Sequence, residues 1–144
     1  MPPFPRGRTI RKDDNRQIMK LGLVFSGGGV RALAHAGLLK ALEEKGLQPS
    51  IISGTSGGAL IGALYACGVK PEDMVHFFKE TPVFKWSMLT FKKVGLVDSA
   101  KYTKFFKKQF QCPTFEDLRL PLVVTATNLL NGKVQYFSKG ELIQ

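Results

Sequence analysis

Cysteine and histidine are almost absent from this 144-residue chain, which has Cys67 and Cys112, His35 and His76, and no others. Two cysteines exclude a disulfide-stapled scaffold and any Cys-rich metal site. Long apolar runs are missing as well, since no stretch approaches the roughly 18 to 20 residues that a membrane span needs. The opening residues from Met1 to Arg16 are polar and contain no apolar stretch of the secretory type. Acidic residues are few, 11 against 21 lysines and arginines, which leaves a net charge of +10. What is present is ordinary for a globular chain: 44% apolar and 22% charged residues are too apolar and too weakly charged for intrinsic disorder. The length allows one domain with one core.

The positive balance sits in two places. Residues 1–20 hold six basic and two acidic side chains, and residues 79–108 hold eight and two, while the rest of the chain is neutral. The second basic stretch overlaps the aromatic one, for nine of the chain's fifteen aromatic residues lie between Phe77 and Phe110. Lysines among large rings suit a surface that dips into a lipid interface with its ammonium groups on anionic head groups. They equally suit single-stranded nucleic acid, or an amphipathic helix whose rings are core and whose lysines are solvated.

Along the chain, residues 1–19 combine three prolines with arginines and no apolar period, which predicts a flexible basic arm. Folded structure is expected from Lys20. Leu21–Phe25 is an apolar run that stops at Ser26-Gly27-Gly28-Gly29, as a buried strand ending in a glycine turn would. Val30 to Lys45 has helical period and stops at Gly46. A second strand is expected at 50–53, a helix from Ala59 to Cys67, and another starting at Pro71. Residues 80–97 show no period and read as a mobile connection or lid. Asp98 or Ser99 can cap a helix reaching about Gln111. Pro121–Thr127 is a β-rich run, and Asn131-Gly132 is a hairpin-type turn before a strand at 133–137. This order predicts an α/β layered domain with a mostly parallel sheet.

Two motifs carry chemistry. Gly54-x-Ser56-x-Gly58 stands between a strand and a helix, the setting of a nucleophile elbow, in which glycines let strand and helix approach and the serine faces the positive end of the helix dipole. The bland alternative is a helix cap. Gly27-Gly28-Gly29 also joins a strand to a helix, and consecutive glycines can aim amide N–H groups at one point as an oxyanion hole does. Arg31 is a candidate anchor or source of positive potential beside that loop, or a plain surface arginine. Gly27-x-Gly29-x-x-Ala32 also fits a dinucleotide-binding fingerprint, although Ile51-Ile52-Ser53-Gly54 supplies no acidic residue for a ribose.

Taken together, Ser26-Gly27-Gly28-Gly29-Val30-Arg31, the stretch from Leu33 to Leu42 containing His35 and Gly37, Gly54-Thr55-Ser56-Gly57-Gly58-Ala59, and Pro121–Asn128 with Gly132 downstream make the chain resemble the patatin-like lipid acyl hydrolases over about residues 21–144. Ala32 stands where that pattern usually has glycine. The resemblance implies a three-layer α/β/α domain that cleaves lipid acyl esters, as a phospholipase A, lysophospholipase or esterase does. It implies a Ser–Asp dyad, with neither cofactor nor metal. Ser56 matches the nucleophile; Gly27, Gly28 and Gly29 match the oxyanion hole, with Arg31, Gly54, Gly57 and Gly58 in support.

The family's aspartate precedes glycine, and none of Asp13, Asp14, Asp73, Asp98 and Asp117 does. The expectation is therefore that residues 20–144 are the N-terminal part of such a domain, that the dyad aspartate lies outside this chain, and that the chain alone is nearly inactive. His35 is conceivable as an alternative base, with a structural role expected. The resemblance turns residues 77–110 into a candidate lid or membrane-contacting cap. It implies a lipid or phospholipid substrate and no nucleic-acid partner; the basic aromatic segment adds a peripheral membrane surface with a preference for anionic lipid, and an incompletely covered sheet adds self-association. The expected location is cytoplasmic, peripheral on the inner membrane surface. A catalytically inactive membrane- or partner-binding module of the same fold is the rival reading.

Overall fold

The computed structural model describes residues 20–80, 103–104, 106–108 and 110–143. The expectations placed on the basic arm, on the 80–97 connection beyond residue 80 and on Asp98 lie outside them.

Strand β1 (Gly22–Phe25) leads through a short 3-10 turn (Gly29–Ala32) into helix α1 (Leu33–Glu44). Strand β2 (Ile51–Thr55) leads into α2 (Gly57–Ala66), which is followed by α3 (Pro71–Glu80). Residues 103–104 and 106–108 are helical, inside the stretch where a helix was expected. A second 3-10 turn (Phe115–Asp117) precedes β3 (Leu122–Thr127), and a hairpin returns as β4 (Val134–Phe137). The sheet has the order β1-β2-β3-β4, with the first three strands parallel and β4 antiparallel. This is the expected α/β class with a mostly parallel sheet.

Because the parallel strands advance in one direction across the sheet, right-handed crossovers put their connecting helices on one face. That face is made by Phe25 from β1, Ile52 from β2 and Leu122 from β3, each at most 3% exposed. Helix α2 lies close on it because its inner stripe is small: a Cβ on Gly62 would stand 2.9 Å from the Ile52 Cγ2 atom and 3.1 Å from the Leu122 Cδ1 atom. Residues alternate across a strand, so Val24 faces the other side and is 83% exposed. Among the described residues, the second helical layer of the expected three-layer sandwich does not cover that side.

Four rings of the aromatic segment lie among the described residues. Phe77, Phe78 and Phe110 are buried and Phe106 is partly buried against them. Their rings meet at centroid distances of 5.9 Å (Phe77 with Phe78 and with Phe110), 6.1 Å (Phe77 with Phe106) and 6.2 Å (Phe106 with Phe110). For these four, burial against the helical layer replaces the expected lipid-facing surface, because rings on the apolar stripe of α3 find one another before they find solvent.

Candidate active site

The register of β1 and β2 builds the site. Phe25 pairs with Gly54, so two residues further along each strand Gly27 comes level with Ser56, about one strand spacing of 4.8 Å away. The contact is closer than that spacing: a Cβ on Gly27 would stand 3.2 Å from the Ser56 Cβ and 3.8 Å from its Oγ. Both motifs thus meet at the carboxyl end of two adjacent parallel strands, where open α/β sheets bind ligands.

Ser56 has φ 52° and ψ −127°, and is the one non-glycine residue with positive φ among the described residues. Such a backbone costs on the order of 1–3 kcal/mol and persists only where its surroundings impose it. The surroundings are glycines without room for a side chain. A Cβ on Gly54 would be 2.8 Å from the backbone of Ala59, one on Gly57 2.8 Å from the Gly29 carbonyl oxygen and from the Ala32 Cβ, and one on Gly58 2.5 Å from the carbonyl oxygens of Phe25 and Ser26. The Ala32 methyl, where the family pattern usually has glycine, occupies the space that Gly57 leaves.

Ser56 is exposed and is the N-cap residue of α2, yet its side chain makes no capping hydrogen bond. The cap reading therefore does not account for it. Its carbonyl accepts the first helical bonds, from the Ala59 and Leu60 amides at 3.0 and 3.2 Å, while its hydroxyl, at the positive end of the α2 dipole, makes no hydrogen bond among the described residues.

The glycine loop faces that hydroxyl. Gly28 (φ 145°) and Gly29 (φ 57°) adopt conformations closed to most side chains. Among the described residues, no hydrogen bond takes the N–H of Gly27 or Gly28. Arg31 closes the turn through its own amide, which donates to the Gly28 carbonyl at 3.1 Å, and its side chain is exposed. His35 stacks on Phe25 with ring centroids 4.6 Å apart and 16° between planes, and its Nε2–H donates to the Ser26 carbonyl at 3.1 Å. That bond ties α1 to the residue just before the glycines, and among the described residues His35 makes no hydrogen bond to Ser56.

The described aspartates are elsewhere. Asp73 lies in the first turn of α3, after α2 has run away from Ser56. Asp117 accepts from the Thr114 amide at 3.1 Å and from its hydroxyl in a capping box ahead of β3, at the opposite end of the sheet. No cluster of three or more His, Cys, Asp or Glu side chains occurs among the described residues. A cavity of about 620 Å³, lined among others by Glu43, Tyr65, Gly68 and Arg119, is also at that far end, one α2 length from Ser56.

The family model described as patatin-like phospholipase matches residues 23–142. The chain belongs to the patatin-like phospholipase family. It is 34% identical over 129 residues to the lysophospholipase nte1 of Emericella nidulans, covering 83% of this chain and 8% of that protein. To the lysophospholipase NTE1 of Coccidioides immitis it is 31% identical over 153 aligned positions, covering 96% of this chain and 10% of the other. The chain thus spans about a tenth of the length of these relatives. Among solved structures it resembles the type III effector protein ExoU, with a TM-score of 0.47, 17% identity, and coverage of 85% of this chain and 36% of that one. In this patatin-like chain, the two glycine motifs that carried the resemblance are the two turns that meet at Ser56.

Proposed function

We propose that this chain carries the nucleophile and oxyanion loop of a serine hydrolase acting on lipid acyl esters. The observation that carries the reading is Ser56 itself, held at φ 52° with its hydroxyl outside any cap bond and Gly27 against it. Nothing in helix capping needs that geometry, whereas presenting a hydroxyl to a carbonyl carbon does.

In this reading the Ser56 Oγ attacks the ester carbonyl and gives its proton to a carboxylate. The carbonyl oxygen becomes an oxyanion held by the Gly27–Gly29 amides, and losing one such donor costs about 3 to 4 kcal/mol of barrier. Collapse expels the alcohol or lysolipid with the proton, and water then releases the fatty acid from the acyl-serine. The reading puts the carboxylate on an aspartate outside these residues: the described Asp73 and Asp117 stand at the far end of the sheet, and no aspartate of the chain precedes glycine as the family's does. Residues 1–144 alone are therefore nearly inactive, general-base help being worth about 10² to 10⁴ in rate. The mechanism calls on neither cofactor nor metal. The lysophospholipase relatives support a lipid substrate, and the basic balance of the chain supports meeting it at an anionic membrane surface.

A fluorophosphonate serine probe tests this on residues 1–144 and on a longer polypeptide containing them, each beside its Ser56→Ala control. Ser56-dependent labelling of the longer chain alone is the expected result. Labelling of both would place a base within these residues, with His35 the suspect. Labelling of neither would remove the nucleophile and favour an inactive binding module.

A further inference from the structure

The β3–β4 hairpin ends in two leucines with almost no cover: Leu129 is 94% and Leu130 98% exposed. The tip is nevertheless well tied. The Asn128 amide donates to the Lys133 carbonyl at 2.9 Å and the Gly132 amide to the Asn128 carbonyl at 2.8 Å. The side-chain oxygens of Asn128 and Asn131 accept from the amides of Leu130 (2.9 Å) and Lys133 (3.0 Å). The polar side chains of the turn are thus used inside it, and the outward groups are aliphatic.

Its position follows from register. Thr55 pairs with Thr125, so Ser56 lies one step, and Thr127 two steps, beyond that level on adjacent parallel strands. At about 3.3 Å per residue the leucines stand on the order of 10 Å past Ser56, at the same carboxyl end of the sheet. On the other side of Ser56, in the turn after β1, Val30 is 47% exposed. Exposed aliphatic residues therefore follow both strands that neighbour β2, with Lys133 at the foot of the tip. Two rigidly presented leucines with a cation behind them match an apolar layer bounded by anionic head groups.

We propose that the Leu129–Leu130 hairpin tip is a membrane-insertion element that enters the head-group boundary of a lipid bilayer and sets the rim around Ser56 against it. The choice of a bilayer rests on the lipid-hydrolase reading, and the element is a different one from the aromatic segment, whose described rings are interior.

Residues 1–144 and the L129S/L130S variant are to be titrated with vesicles of phosphatidylcholine, alone and with phosphatidylserine added. Both leucines lie in solvent, so the variant keeps the parent's circular dichroism and melting temperature. The expected result is at least about tenfold weaker partitioning of the variant, most visible with phosphatidylserine. In a Trp86→Phe background, a Leu130→Trp reporter shifts its emission to the blue and is quenched by brominated acyl chains. Absence of vesicle binding, equal binding by the variant, or a reporter that stays in water overturns the proposal. So does a variant that changes only self-association in lipid-free buffer, which would make a second copy the occupant. Ser56→Ala partitions as the parent does, so a tip that inserts in a chain the serine probe never labels sinks the hydrolase reading alone. A labelled longer chain whose tip stays out of lipid sinks the insertion alone.

Discussion

Gly58 lies so close to Ser26 that a Cβ on it would stand 2.5 Å from the Ser26 carbonyl oxygen. The elbow after β2 and the loop after β1 are thus locked by backbone contact, and neither can move without the other. Gly58→Ala is expected to cost about 1 to 3 kcal/mol by overpacking and to abolish serine-probe labelling of the longer chain. Gly37, inside α1 with nothing within 4 Å of its missing Cβ, should behave oppositely. Gly37→Ala gains about 0.5 to 1 kcal/mol from helix propensity alone. Chemical denaturation of the two variants compares the signs directly.

Ser56→Gly should stabilise the chain by about 1 kcal/mol, because glycine relieves the positive-φ backbone. Ser56→Ala keeps the strain and should stay within about 0.5 kcal/mol of the parent. Both lose labelling, so stability and reactivity separate at one position. Equal melting temperatures for the two variants would show the backbone to be unstrained.

Burial, and then the hydrogen bond from its hydroxyl to Glu43, push the Tyr65 phenol up from 10.0 to about 12. The folded state therefore holds this proton more tightly than the unfolded chain does. The stability it contributes is complete below pH 10 and is lost as the pH rises toward 12. Absorbance titration of phenolate should show a late component that Tyr65→Phe removes.

Glu116 shows the opposite sign. Its carboxylate accepts from the Gly140 amide at 3.0 and 3.2 Å, which lowers its pKa below the ordinary 4.5. That contribution is present above pH 4.5 and disappears as the pH falls through the lowered value. Glu116→Gln should flatten the acid limb of the melting-temperature profile while leaving the alkaline limb as it was.

Much of this was legible before the fold was known. Apolar runs ending in glycine marked β1 and β2, and their lengths held to within two residues. Ser53 was expected to end β2, yet pairing with both neighbours carries it to Thr55, since Gly54 meets Phe25 on one side and Val124 on the other. Helix α2 begins at Gly57 rather than Ala59, because the close approach to β1 demands glycine where helix propensity disfavours it. The expected helix from Val30 opens instead as a 3-10 turn through Ala32 before α1 begins. Asp117 was expected in a turn ahead of β3, and its 3-10 form was not, although Thr114 three residues before Asp117 has capping-box spacing. The meeting of Gly27 with Ser56 could not be read from spacing alone, as it depends on strand register. Interior packing of the Phe77 cluster depends likewise on which helices share a face.

The steric lock around Ser56 has a consequence for lineages of this fold. Gly54, Gly57 and Gly58 are required by backbone contact whether or not any ester is cleaved, so a side chain at any of them should disturb active and inactive descendants alike. The serine is different, for its backbone strain is tolerated only while its hydroxyl is useful. A descendant released from hydrolysis should drift first at position 56, toward glycine, with the surrounding glycines intact. If the hydrolase reading holds, the residue at that one position, more than the motif around it, should separate working copies from retired ones.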